Sequence, residues 1–535
     1  MTTVRRLFLY LASFIGMVVT LAGVFLLIGL IVDQGFDAFR GFSITGSATA
    51  AALIIAGGLT WRFYWQTAQR EANAVLDERA AGMRKLYLYG TQTLSLLIAL
   101  ILAQQVLGEL LVRVFDVGLN GYKPWTPILF AAALAGVWWW HKRIADGEQA
   151  AGADAARGGD LRRGYWFVLA YFGIISAAGA LINFLAGLLS HLGGQAPFTL
   201  GAAFDFLGGG TWMQTLFPPL AQIAVAALAI WLFWLPSQKA AAAGDETERS
   251  SRARSWLIHL VLFSATVWAL NGAQGVLTDV LNRLLLGFPR ELLVLTIHAP
   301  LALLIVGGAL LFYFFRFVRP TLASARLSEY ILAGVALFIA VVATVQLVQV
   351  LFQVLGGQGP RIEDVIANIL PPLLVGGAVW RWRWRVLEAE ASGADAGARS
   401  SLWRKVYLYF FQLAGLVLIL IGAVTILQGL IAALLGRPLV TAGGNALLVL
   451  STPLAFLLVG SGLLIYMMQI VASDNRLGAL SVEDVMRQTL GDATPTWAIA
   501  AVAAFVLGPL FLIVLLALLG PTIGNIFNNI IQNLQ

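Results

Sequence analysis

An all-α fold, a polytopic transmembrane bundle of about thirteen helices, follows from three features of the sequence. Hydrophobic residues make up 59% of the chain and charged residues 11%, whereas a soluble globular protein is about a quarter charged. A surface with so little charge must face hydrocarbon. Apolar runs also recur along the chain, each about 20 residues or more and so able to cross a core of about 30 Å. Finally, Lys and Arg collect in alternate connections, as threading back and forth through a bilayer requires.

The elements follow in order. Arg5 and Arg6 precede an apolar run, which predicts a first helix over 7–32. It lacks a small-residue cleavage pattern, so it reads as a retained helix and not a signal peptide. Further helices are expected at 44–65, 86–108, 125–141, 165–188, 216–235, 256–277, 292–315, 329–352, 367–385, 405–428, 445–470 and 497–519. The segment at 125–141 is short. The one at 367–385 carries Pro371 and Pro372 in its first turn, where a missing N–H does no harm. Strands of a membrane barrel are about ten residues with alternating polarity, and these runs are too long and too uniformly apolar for that.

Orientation comes from the basic residues. The N-terminus and every second connection hold 27 of the 34 Lys and Arg; the other side holds Arg40, Arg113, Lys123, Arg283, Arg290, Arg361 and Arg437. Translocated loops avoid these residues. The expectation is a multi-pass protein of the cell's inner (cytoplasmic) membrane, with the N-terminus cytoplasmic and the C-terminus outside. The net charge of +7 then reflects topology, and no nucleic-acid partner is expected.

Internal repeats organise the chain. Arg5-Arg6-Leu7-Phe8-Leu9-Tyr10 returns as Arg84-Lys85-Leu86-Tyr87-Leu88-Tyr89 and as Arg404-Lys405-Val406-Tyr407-Leu408-Tyr409. Fainter echoes begin at Arg162, Arg254 and Arg326, so the starts fall at nearly even intervals. Each unit contributes two helices, so the six repeats are parallel, with one C-terminal helix added. Grouped in pairs, they fall at 1–160, 161–322 and 323–490, with 491–535 holding the last helix and an amphipathic tail. Charged apolar segments at 107–119, 277–288 and 361–370 are expected to be short helices lying at the outer interface.

Aromatic and basic clusters end many second helices. Trp61, Arg62 and Trp65 form one; Trp138, Trp139 and Trp140 another; Trp380, Arg381, Trp382, Arg383 and Trp384 a third. With Tyr87, Tyr89, Tyr407 and Tyr409, they are expected to anchor the helices at the lipid headgroups, where such rings concentrate. A cavity for a haem, quinone or pigment is the competing reading.

The four histidines bear on that choice. By the expected topology His141 and His259 lie near the cytoplasmic edge, and His191 and His298 near the outer edge. They are candidates for axial haem ligands, but they share no motif spacing, and packing histidines are the expectation. No cofactor and no metal site is predicted, while bound lipids are.

Other chemistry finds little support. There is no cysteine, which removes thiolate ligands and nucleophiles. The zinc-helix, nucleophile-elbow and phosphate-loop patterns are missing, so no enzyme is expected. Helix centres hold almost no Asp, Glu, Lys or Arg, which ion pathways generally need. Gln104, Gln105, Asn183, Asn271, Gln274, Gln346, Gln349 and Gln412 read first as glue between helices.

The recurring start, with its second helix ending in aromatics and Arg, resembles an uncharacterised bacterial membrane domain of unknown function present in repeated copies. The units at 5–66, 84–143 and 404–466 carry the resemblance, over about half the chain. It implies a multi-pass fold and no known activity. The expected role is a non-catalytic membrane scaffold or accessory subunit with other membrane-protein partners. The alternatives are a transporter or channel for an apolar or weakly polar solute, and a haem- or pigment-binding electron-transfer protein.

Overall fold

A computed structural model describes residues 3–34, 44–117, 124–151, 157–192, 212–287, 290–318, 322–392, 396–435 and 446–476. Among them there is no strand. The long helices are α1 (Thr3–Gln34), α2 (Ile44–Ala74), α4 (Gly82–Val112), α5 (Trp125–Ala150), α6 (Arg157–Leu192) and α7 (Trp212–Ala229). They continue with α10 (Arg252–Leu285), α11 (Arg290–Tyr313), α12 (Leu322–Leu355), α14 (Leu370–Ser392), α16 (Leu402–Leu434) and α17 (Ala446–Arg476). These twelve match the expected crossings up to 445–470. The helix expected at 497–519 and the amphipathic tail lie outside the described residues.

Among the described residues, ten helices are long and apolar enough to cross a membrane, so the chain is an all-helical polytopic membrane protein. The two that fall short are α2 and α5, diluted by small, aromatic and basic residues. Each lies against a more apolar neighbour, α2 on α1 and α5 on α4.

Short helices fill some connections: α3 (Leu76–Arg79), α8 (Leu235–Ala242), α9 (Glu246–Arg249), α13 (Ile362–Asn368) and α15 (Ala396–Arg399). A separate short helix, α13, does fall within 361–370. The other two expectations need correction. Over 107–117 the chain continues α4 and then a π-helical turn, Arg113–Val117. Over 277–285 it continues α10. Apolar residues with few charges extend a spanning helix as readily as they start a surface one.

The chain divides into two compact units, residues 1–276 with 289–325, and 277–288 with 326–535. In the first, the core joins Tyr10, Trp65, Tyr87, Leu88, Tyr165, Leu169, Trp234, Leu262 and Phe314. In the second it joins Tyr330, Leu337, Trp384, Tyr407, Leu408, Phe411 and Met467. Helix hairpins close on small residues, as membrane helices do when backbones approach. A Cβ on Gly415 would lie 2.8 Å from Gly460 O, and one on Gly460 would lie 2.7 Å from Gly415 O.

Candidate functional site: a repeated arginine–tryptophan clasp

α4 enters its bundle with Arg84 and Lys85, both buried. Buried cations need partners, and the neighbouring helices supply them. Glu148, near the end of α5, accepts from Arg84 Nε at 2.7 Å, from Arg84 Nη2, and from Lys85 Nζ at 3.1 Å. Gln69 of α2 accepts from Arg84 Nη2 at 2.8 Å, and Tyr10 of α1 accepts from Nη1 at 3.3 Å. The guanidinium stands over the Trp65 ring at 5.5 Å, and that ring stacks on Tyr87 at 5.2 Å. One clasp thus joins the starts of α1 and α4 to the ends of α2 and α5, which requires the four helices to alternate in direction.

The same arrangement recurs in the second unit. Arg404 of α16 donates from Nε and Nη2 to the two carboxylate oxygens of Asp474 of α17, at 2.7 and 3.1 Å. It stands over Trp384 at 5.4 Å, and Trp384 stacks on Tyr407 at 5.3 Å. Where Gln69 follows Trp65 by four residues, Glu388 follows Trp384, its carboxylate 3.7 Å from Arg404. Trp380 Nε1 donates to Tyr407 Oη at 3.2 Å.

A third copy lies between them in sequence. Arg254 of α10 stands over Trp234 at 5.8 Å and donates to Gln238 at 2.7 Å. Here Trp234 sits in a π-helical turn, Ile230–Trp234, and stacks on Phe314 of another, Phe314–Val318. No carboxylate lies within 4 Å of Arg254 among the described residues.

Each clasp Arg is preceded by a second one five residues earlier. Arg79 caps the end of α2 by donating to Ala72 O at 2.7 Å, and Arg249 donates to Ala241 O at 2.7 Å. Arg399 holds the equivalent sequence position before Arg404. One residue before these, Glu78 binds Arg6 Nε and Nη2 at 2.8 and 2.6 Å, and Glu248 lies 3.9 Å from Arg163 Nε. The Arg6 hydrogen bonds hold the Glu78 carboxyl at a pKa of about 2, against the opposing effect of its burial.

The rings expected to anchor the protein are therefore sorted by face. Trp65, Tyr87, Tyr89, Trp384 and Tyr407 are buried, and their rings meet protein. Tyr89 stacks on Tyr165, which also accepts from Trp138 Nε1 at 2.9 Å. Trp61, Trp138, Trp140, Trp380 and Arg383 are half-buried. Trp61 meets Trp140 edge-on, and Arg383 meets Glu329 at 3.1 Å. Arg62, Trp139, Arg381, Trp382 and Tyr409 are exposed. Four-residue spacing puts Trp380 and Trp384 on one inward face, while Trp382 points away.

The four histidines lie on α5, α6, α10 and α11. His141 is buried between Val137 O, at 2.8 Å from Nδ1, and Tyr87 Oη, at 3.3 Å from Nε2. His259 Nδ1 lies 2.5 Å from Ser255 O. His298 is buried and His191 exposed. Among the described residues no three His, Asp or Glu gather as a metal site.

Sequence reasoning singled out neither Glu148 nor Asp474. A signal was present: the interval from Pro127 to Glu148 equals that from Pro453 to Asp474.

The sequence model of one family, described as a domain of unknown function (DUF5671), matches residues 6–136, 200–309 and 326–462, more than two thirds of the chain. The matches end at one common distance beyond Pro127, Pro300 and Pro453, which sets these three prolines in register. No curated protein and no solved structure matches the chain.

Proposed function

The chain belongs to this family, whose domain it carries in three copies, and from that premise we propose that it is a non-catalytic membrane scaffold, an accessory subunit of a larger assembly. The supporting observation is the way the strongest polar groups are spent. Arg84 and Lys85 pair with Glu148, and Arg404 pairs with Asp474 through two of its three nitrogens. Charges used to lock helices leave rigid copies whose outer faces carry contacts with lipid and with other subunits. Purification from native membrane in a mild detergent tests this: stoichiometric companions are expected, and a chain that always runs alone removes the reading.

The same reading places the protein in the inner membrane of a bacterial cell, basic clasp ends inward. The chain has no native cysteine, so single engineered ones report topology cleanly. A cysteine within 142–160 should react only with a thiol reagent that crosses the membrane.

A transporter for a weakly polar solute is the second reading. Thr91 Oγ1 and Gln92 Nε2, one turn below Tyr87 on α4, are buried with no hydrogen-bond partner among the described residues, as groups awaiting a polar guest would be. Solute flux into liposomes, lost in Gln92→Leu, distinguishes it from the scaffold.

A further inference from the structure

Arg254 is only 6% exposed, and its Nε has no hydrogen-bond partner among the described residues. Its guanidinium donates to a neutral amide, Gln238. The equivalent arginines in the flanking copies each hold a carboxylate through two nitrogens. At the matching interval after Pro300 the sequence has Thr321, where the other copies have Glu148 and Asp474. Glu248 attracts Arg254 through space but makes no hydrogen bond to it: its carboxylate accepts from Ser237 Oγ and lies 3.9 Å from Arg163 Nε. A buried guanidinium that no anion hydrogen-bonds is costly, and its planar fork matches phosphate as well as carboxylate.

We propose that the middle copy is a binding site for a phosphate group, with Arg254 as the principal donor and Gln238 and the Trp234 face holding the guanidinium in place. The surroundings suit a phosphate that arrives at the headgroup level. Trp231 and Trp256 are exposed by 62% and 57%, and Lys239 and Arg252, one and two residues from Gln238 and Arg254, are exposed cations. The ligand completes the clasp from outside, where the two flanking copies complete it from within. A phospholipid headgroup and free inorganic phosphate share this chemistry.

The test uses the full chain in non-ionic detergent, with unfolding followed by tryptophan fluorescence. Dioleoyl phosphatidylglycerol, a dioleoylglycerol lacking phosphate, and inorganic phosphate are titrated separately. Phosphatidylglycerol should raise the melting temperature. Arg254→Gln should need about tenfold more lipid for the same half-response, the scale of one lost charged hydrogen bond, while Arg62→Gln, an exposed cation of the first copy, responds as the wild type does. A response to inorganic phosphate alone supports the site and assigns it the free ion. Should Arg254→Gln not fold, Arg254→Lys must show a weakened but present response. Equal effects of dioleoylglycerol and phosphatidylglycerol, an unchanged response in Arg254→Gln, or no response of the wild type to either phosphate source overturns the proposal.

Discussion

Arg404 and Asp474 lie 70 residues apart in sequence, yet two guanidinium nitrogens meet the two carboxylate oxygens at 2.7 and 3.1 Å. Both side chains are buried. Removing one partner strands the other charge. Asp474→Asn is expected to lower stability by about 3–5 kcal/mol, whereas replacing both residues by leucine costs less, because no lone charge is left. Denaturation of the purified variants in detergent gives the comparison, and a double variant weaker than the single one would contradict it.

Trp384 and Trp382 differ in face more than in sequence. Trp384 is 1% exposed beneath Arg404, while Trp382 is 58% exposed. Trp384→Ala should cost about 3–5 kcal/mol through the cavity it leaves. Trp382→Ala should cost less than about 1 kcal/mol in detergent. Any deficit of the Trp382 variant is expected in membrane positioning, read by the depth of a nearby fluorophore in vesicles.

Glu78 makes stability depend on pH. Its folded carboxyl sits at about 2, below the ordinary value of 4.5. A depressed carboxylate contributes stability above its unfolded pKa and loses it as pH falls through the folded one. The melting-temperature gap between wild type and Glu78→Gln should therefore be constant above pH 4.5 and shrink between pH 4.5 and 2. A gap that widens on acidification would show that Arg6 does not set this carboxyl.

Gly415 and Gly460 allow α16 and α17 to touch through their backbones. Gly415→Ala drives a methyl into Gly460 O at 2.8 Å, and about 1–3 kcal/mol of strain is expected. Gly462, with nothing within 4 Å of its would-be Cβ, accepts alanine without loss. Thermal unfolding of the pair decides, and equal midpoints would refute the close approach.

Sequence carried the helices far better than the clasp. Length and uniform apolarity are local properties, so twelve crossings could be placed from residues alone. The fate of Trp65 and Trp384 depends on which way a helix faces, and a run such as Trp380 to Arg385 offers rings on every face. Glu148 and Asp474 were hidden because their partners lie 64 and 70 residues away. The two-helix echo also outshone the longer period, since Arg-Lys starts are conspicuous and a proline at a fixed distance before an acid is not.

The distance in sequence between the two halves of each clasp also has a bearing on biosynthesis. Arg84 leaves the ribosome 64 residues before Glu148. At 5–20 residues per second, that is a wait of about 3–13 s. Through that interval the nascent hairpin carries two cations without the carboxylate that pairs with them in the folded unit. The fourth helix, on arrival, brings the acid that lets them be drawn in. Translation itself thus orders assembly of the two copies whose clasp closes on an acid of their last helix.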